Sequence, residues 1–223
     1  MEAFVSWSGG KEASLSCYKA MQDQSIKVVH LLNMVSEDGM HSRTHGISSR
    51  LLRIQAETIG VPIVQKRTTW ETYEEKFKKA ISDFKKKDIQ AGVFGDIDLQ
   101  EHRDWIERVC KESDIKPIFP LWQRKREGIL KEFIDSGFEA IVVAVKADIL
   151  GSKWLGRKID EEFIEELKGM DGIDLCGEVG EYHTFVISGP IFKKKIKILK
   201  TKKIERNGHS FLDILNYETI DKI

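Results

Sequence analysis

The chain has 223 residues, with 36 lysines and arginines against 36 aspartates and glutamates and 41% apolar side chains. That balance describes a globular protein able to bury a core, and it excludes disordered, collagen-like and low-complexity classes. Zero net charge argues against a broad nucleic-acid surface, which needs a local excess of cations, and the longest apolar run, at 140–145, is too short to span a bilayer.

The first residues, Met1-Glu2-Ala3-Phe4-Val5-Ser6-Trp7, carry an acid where a signal peptide wants base, so a cytoplasmic location without a membrane segment is expected. Cys17, Cys110 and Cys176 are too few and too scattered for a disulfide framework or a zinc ribbon. From there, short apolar runs of β type alternate with segments of helical period, the pattern of an α/β protein with an open parallel sheet. Strands are predicted at 3–7, 26–34, 61–65, 90–95 and 116–119, and helices at 11–23, 47–59, 71–87 and 100–113. In 71–87, Tyr73, Phe77, Ala80, Ile81 and Phe84 line one face of a 3.6-residue repeat; Trp105, Ile106, Val109 and Cys110 do the same in 100–113, which makes Cys110 a core residue. Gly60-Val61-Pro62 ends one helix and opens the next strand.

Beyond Pro120-Leu121-Trp122 the pattern continues with a helix at 125–136, a buried strand at 138–146 and a helix at 160–168. From His183 to Ile204 the chain reads as strands, and Lys195-Ile196-Lys197-Ile198 alternates like a half-exposed edge strand. Two domains are therefore expected, one at 1–124 and a smaller α/β domain at 125–223. Charge is uneven in the second: nine acids and one base lie from Asp160 to Glu181, and seven lysines without an acid lie at 193–203. The lysine strand suits edge protection, a docking strip or pairing with a second copy in a homodimer.

The most informative stretch is Val5-Ser6-Trp7-Ser8-Gly9-Gly10-Lys11-Glu12-Ala13-Ser14, a strand that runs into two glycines and then a helix. Gly9 and Gly10 let backbone N–H groups approach a phosphate, the helix points its positive end there, and Lys11 adds a mobile charge for the same anion. Walker A and G-x-G-x-x-G loops are excluded, because Val5 and Glu12 stand where the former requires glycine and Ser/Thr.

Ser8-Gly9-Gly10-Lys11 resembles the pyrophosphate loop, S-G-G-x-D-S, of the N-type ATP pyrophosphatases. The rest of the chain resembles the diphthine–ammonia ligase family within that superfamily. The match runs through His45-Gly46 with Leu51, Gln55-Ala56-Glu57 and Gly60; Gly95-Asp96 with Arg103 and Arg108; Pro120-Leu121-Trp122; Leu155-Gly156-Arg157 with Asp160; and residues 176–185. The resemblance implies the adenine nucleotide alpha-hydrolase-like (HUP, PP-loop) fold and an ATP-dependent, AMP-forming amide ligase. Such an enzyme adenylates the carboxylate of diphthine on elongation factor 2 and transfers ammonia to it.

On that reading Ser8, Gly9, Gly10 and Lys11 hold the pyrophosphate, with Glu12 and Ser14 beside them, and Met34 and Val35 receive the adenine next to Gly95. Asp96 and Glu12 are candidates for Mg²⁺, with helix capping as the alternative for Asp96. Glu178-Val179-Gly180-Glu181-Tyr182-His183-Thr184 resembles the family's E-G-G-E-Y-E-T. Glu178, Glu181 and Tyr182 suit the quaternary ammonium of diphthine; Thr184 and Arg157 complete an acceptor site, and Arg43 and His45 form a loop over the nucleotide. His183 suits a proton acceptor for ammonium or a strand residue with a satisfied hydrogen bond.

The departures from the family pattern leave alternatives open. His183 in place of glutamate allows a related ligase with another carboxylate acceptor. Glu12-Ala13 in place of Asp-Ser allows an ATP-binding regulatory module without catalysis. Ser14 does not simply replace the missing hydroxyl, because one residue along a helix turns the side chain by roughly 100°.

Overall fold

The computed structural model describes every residue except Thr44, Asn207 and Ile223, the last of which is the expected end of the second domain. Two compact units emerge. The first comprises Met1–Ser8, Glu12–Thr44 and Ser48–Arg124; the second comprises Gly9–Lys11, His45–Ile47 and Lys125–Ile223. Two short pieces that the sequence reading assigns to the first domain thus cluster with the second.

In the first unit, strands β1 (Glu2–Ser6), β2 (Lys27–Val35), β3 (Ile63–Arg67), β4 (Ala91–Val93) and β5 (Lys116–Ile118) form a parallel sheet in the order β3-β2-β1-β4-β5. Central β1 is covered on both faces, which is why Ala3, Phe4 and Val5 form an uninterrupted apolar run with no exposed surface. The connecting helices are α1 (Lys11–Gln22), α2 (Ser49–Ile59), α3 (Tyr73–Lys85) and α4 (Gln100–Glu112). Helix α2 stops where Gly60 adopts φ +84° and donates its N–H to the Ala56 carbonyl at 2.8 Å.

Helix α3 buries the predicted stripe of Phe77, Ala80, Ile81 and Phe84. Each of the large side chains contributes about 1.5–3 kcal/mol of transfer free energy. They join Phe4, Ile106, Val109 and Cys110 in one core, with the Phe4 and Phe84 rings stacked at 5.1 Å between centroids. Because β1 and β4 are neighbours while the chain winds outward from each, the sheet has its topological switch point between them. In open α/β sheets, ligands bind outside the carboxyl ends of strands at that point.

The second unit contains α5 (Arg126–Asp135), β6 (Glu139–Lys146), α6 (Glu161–Lys168), β7 (Tyr182–Ser188), β8 (Lys194–Arg206) and β9 (His209–Asp221). Its sheet, in the order β7-β6-β9-β8, is antiparallel. Residues Ala140 to Val145 of β6 are buried, and Asp160 caps α6 by accepting the Phe163 N–H at 2.9 Å. Strand β9 is not anticipated by the sequence reading. It pairs along the whole of β8, which lies at the sheet edge as its alternating lysines suggest. Those lysines are largely tied locally: Lys195 to Glu139 at 2.7 Å and Lys197 to Glu218 at 2.8 Å, exposed pairs worth about 0–1 kcal/mol.

Among the described residues, no helix is long and apolar enough to cross a membrane.

Candidate active site

The glycine loop is held by residues more than 160 positions downstream. The Gly9 carbonyl accepts the Val186 N–H at 3.0 Å, and the Lys11 N–H donates to the Thr184 hydroxyl at 3.1 Å. Lys11 Nζ donates to the Cys176 carbonyl at 2.6 Å and lies 4.4 Å from the centre of the Tyr182 ring. Gly9 adopts φ +82°, and a Cβ on Gly10 would meet His45 Cε1 at 3.1 Å and the Thr184 carbonyl at 3.3 Å. Glycine is required here for close packing as well as for the turn.

These contacts correct the expected role of Lys11 as a mobile charge. The side chain is only 2% exposed, with its ammonium between a carbonyl and an aromatic face. They also redirect Tyr182. Its ring, expected to meet the acceptor's cation, is 1% exposed and carries Lys11, while its hydroxyl donates to the Leu175 carbonyl at 2.5 Å.

Glu181 is likewise committed to its own loop: one carboxylate oxygen accepts the Asp174 N–H at 3.0 Å and the other the Val179 N–H at 3.1 Å. Glu178 and Val179, by contrast, stand on the exposed crest of that loop, Val179 with 76% of its surface accessible. A buried carboxylate that gathers N–H groups and an exposed one above it give the two glutamates of the motif different tasks.

The half-buried rings of His183 and His45 stack with centroids 4.3 Å apart and planes inclined by 21°. Burial pulls the His183 imidazole down to about 4, with Lys11 and then His209 adding to the shift. His45 is held well below its ordinary value by burial, then by the charges of His183 and Lys11. Both rings are therefore neutral at pH 7. A base that weak is poorly matched to drawing a proton from ammonium, which favours the reading of His183 as a strand residue. Arg157, expected at the acceptor, forms an ion pair with Glu166 of α6 at 2.8 Å.

The other expected residues lie in the first unit. Ser8 is half-buried, and Glu12 occupies the first turn of α1. Ser14 has no exposed surface and its hydroxyl has no hydrogen-bond partner, because the helical turn carries it away from the N-terminal end. Gly95 makes room for that end of α1: a Cβ there would lie 3.1 Å from the Glu12 carbonyl carbon and 3.2 Å from the Ala13 nitrogen. Asp96 follows β4 with its side chain 20% exposed, 3.5 Å from His102 Nδ1. It is no helix cap, since α4 starts at Gln100 with Leu99 in the cap position.

Met34 and Val35 end β2 with buried side chains. Met34 belongs to the core cluster, and its carbonyl accepts the Arg43 N–H at 2.9 Å. Arg43 lies over the exposed Trp70 ring at 4.7 Å. Among the described residues, no group of three or more His, Cys, Asp or Glu side chains is placed to hold a metal ion.

Two residues of the second unit, Asp174 and Arg126, escape the sequence reading as site residues. Asp174 Oδ1 accepts the Cys176 N–H at 2.8 Å, Arg126 Nε pairs with Asp174 Oδ2, and the Gly177 N–H donates to the Asp174 carbonyl at 3.0 Å. An aspartate two residues before an N–H is a local turn signal. Arg126, 48 positions away, leaves no local signal at all.

A five-stranded parallel sheet whose first strand runs into a glycine–lysine loop, with Lys11 bonded to Thr184 and the Cys176 carbonyl, defines an α/β protein of the open parallel-sheet class. The chain matches the diphthamide synthase N-terminal domain over residues 1–117 and the diphthamide synthase C-terminal domain over residues 125–220. It belongs to that family. Similar proteins include the diphthine–ammonia ligases of Bos taurus, 29% identical over 93% of this chain and 86% of the relative, and of Homo sapiens, 28% identical with the same coverage. The diphthine–ammonia ligase of Schizosaccharomyces pombe is 28% identical over 90% of this chain but only 36% of its own length. Among solved structures, a chain described as a predicted subunit of tRNA methyltransferase from Methanocaldococcus jannaschii overlaps 85% of this chain and 98% of that one. Its TM-score is 0.45 and its identity 18%, too loose a likeness to bear on function.

Proposed function

We propose that this protein is a diphthine–ammonia ligase, an ATP-dependent and AMP-forming enzyme that converts the diphthine carboxylate of elongation factor 2 to its amide. The observation that supports it most directly is the union of two motifs far apart in sequence. The phosphate loop Gly9–Lys11 and the motif at 176–184 share hydrogen bonds, and a carboxylate-activating enzyme needs phosphate and acceptor groups side by side.

In this reaction a carboxylate oxygen attacks the α-phosphorus of ATP and pyrophosphate departs with the electrons of the broken P–O bond. Ammonia then adds to the acyl carbon, loses a proton, and AMP leaves. Gly9, Gly10 and Lys11 supply fixed donors for the pyrophosphate, with positive charge held in place beforehand and little reorganisation needed. Ser8 and Glu12 flank them, and the carboxyl ends of β2 and β4, at Met34-Val35 and Gly95, take the nucleoside. Glu178, exposed and acidic, suits the trimethylammonium group of the acceptor. His45, His183 and Thr184 fix the loop beneath it, whereas Arg157 supports α6.

The residues present fit a Mg²⁺ that arrives with the nucleotide better than one in a resident cage. Such an ion takes one or two carboxylates and keeps phosphate oxygens and waters. Asp96 and Glu12 lie on segments brought together by Gly95 and would hold it, neutralising phosphate charge. Ammonium is the second substrate, and the cytoplasm, where elongation factor 2 works, is the location this reading requires.

The deciding experiment incubates the protein with ATP, ammonium and elongation factor bearing diphthine. AMP and pyrophosphate should form only with the acceptor present, alongside the small mass decrease of OH replaced by NH2 on the modified histidine. AMP formation without any change in the acceptor would sink the assignment.

A further inference from the structure

Lys11 follows the two glycines at the start of α1, and its ammonium lies over the Tyr182 ring at 4.4 Å. The same ammonium donates to the Cys176 carbonyl at 2.6 Å. That carbonyl shares a peptide plane with the Gly177 N–H, and in a trans peptide the two point in opposite directions. The Gly177 N–H donates to the Asp174 carbonyl at 3.0 Å, which turns the Cys176 oxygen outward to Lys11. One side-chain oxygen of the same Asp174 accepts the Cys176 N–H at 2.8 Å and the Glu178 N–H at 3.4 Å, and the other pairs with Arg126 Nε. Asp174 therefore holds the peptide units on both sides of Cys176, and its side chain is only 12% exposed.

We propose that Asp174, braced by Arg126, is a positioning residue that sets Lys11 for phosphate through the Cys176 carbonyl. The catalytic half of this assignment rests on the ligase reading above. Asp174 touches no substrate. Its carboxylate neutralises Arg126 and collects two N–H groups, which keeps the 174–178 turn in the one conformation that presents a carbonyl to the ammonium. Charge-assisted hydrogen bonds of this kind are shorter and stronger than neutral ones. Loss of the carboxylate frees the turn, and Lys11 with it. The arrangement also separates the duties of the acidic loop: Asp174 and Glu181 face inward and gather N–H groups, leaving Glu178 on the exposed side.

Two measurements test this. The first is amine acylation by an N-hydroxysuccinimide ester, read peptide by peptide by mass spectrometry. Lys11 should be protected in the unaltered protein, and Asp174→Ala should speed its labelling about tenfold, as the loss of one charged hydrogen bond implies. Labelling of Lys195 should stay unchanged, which separates local release from general unfolding. Asp174→Asn keeps the shape but not the charge on Arg126; it should give a smaller increase and serves if the alanine variant does not fold. Unchanged Lys11 labelling in both variants would overturn the proposal.

The second measurement is a double-mutant cycle on kcat/KM for ATP, using acceptor-dependent pyrophosphate release. Asp174→Ala should cost activity in the unaltered background and nothing further in Lys11→Ala. Losses that multiply would show that Asp174 acts independently of Lys11 and overturn the positioning role. If Lys11→Ala alone leaves ATP turnover intact, the phosphate role of Lys11 in the ligase reading fails, and the labelling rate alone decides whether Asp174 places the ammonium.

Discussion

The imidazole of His45 stacks on that of His183 at 4.3 Å between centroids, and the same His45 ring lies where a side chain on Gly10 would have to go. Two histidines thus form the wall of the glycine loop, and both are uncharged at neutral pH. Lys11 and His209 are the other cationic or titratable groups that act on the His183 ring.

This pair gives the protein a defined sensitivity to acid. The His183 pKa falls from an ordinary 6.5 to about 4 on folding, burial being the main cause. Between those values the unfolded chain binds the proton and the folded one refuses it, so protonation favours unfolding. The stabilisation is fully present above pH 6.5 and is lost as pH falls toward 4. Denaturant midpoints measured across that window should therefore decline less steeply in His183→Gln than in the unaltered protein. Parallel curves would show that the ring titrates normally.

Thr184 should prove structural before it proves catalytic. Its hydroxyl is the acceptor for the Lys11 N–H, and Thr184→Val would leave that buried donor unpaired at a cost of about 1–3 kcal/mol. Thr184→Ser keeps the acceptor and should retain most of the stability. Urea unfolding of the two variants gives the comparison, and equal losses would assign the effect to packing of the methyl group.

Gly177 is a position where a single methyl should do marked harm. It combines φ +72° with a Tyr182 carbonyl oxygen 2.7 Å from the missing Cβ, whereas Gly151, at φ +66°, has open space around it. Alanine at 151 therefore meets only the left-handed backbone strain, about 1–2 kcal/mol. Alanine at 177 adds overpacking of about 1–3 kcal/mol and moves the turn beneath Lys11. Equal thermal shifts for the two variants would contradict the geometry.

Lys11→Ala should lower acceptor-dependent pyrophosphate release about a hundredfold, the scale of removing one fixed donor from a developing charge. Lys11→Arg should not restore it. A forked guanidinium does not fit the place of an ammonium between the Cys176 carbonyl and the Tyr182 ring. Steady-state release of pyrophosphate at saturating acceptor distinguishes the three proteins.

The elements of the first unit are legible because its strands and helices carry clean patterns: β1 holds the unbroken apolar run Ala3, Phe4 and Val5, and α3 repeats Phe77, Ala80, Ile81 and Phe84 on one face. Strand β9 is not, since both its faces are partly exposed and Phe211-Leu212 and Ile214-Leu215 blur the alternation. Asp96 as a helix cap fails because α4 begins four residues later. The burial of Lys11 lies beyond any local pattern, for a lysine after two glycines looks like a free charge until its partners at 176 and 182 are placed. Arg126 and Asp174 are joined only by folding, and neither carries a motif of its own.

The bond from Val186 to Gly9 also sets an order of events at the ribosome. The glycine loop is synthesised more than 160 residues before its partners Cys176, Thr184 and Val186. A nascent chain can wind its parallel sheet early but cannot finish its glycine loop until β7 has been made. A truncated product that ends before β7 would therefore carry the glycine motif in sequence without its supports and, on the ligase proposal, would be spared from consuming ATP by the timing of its own translation.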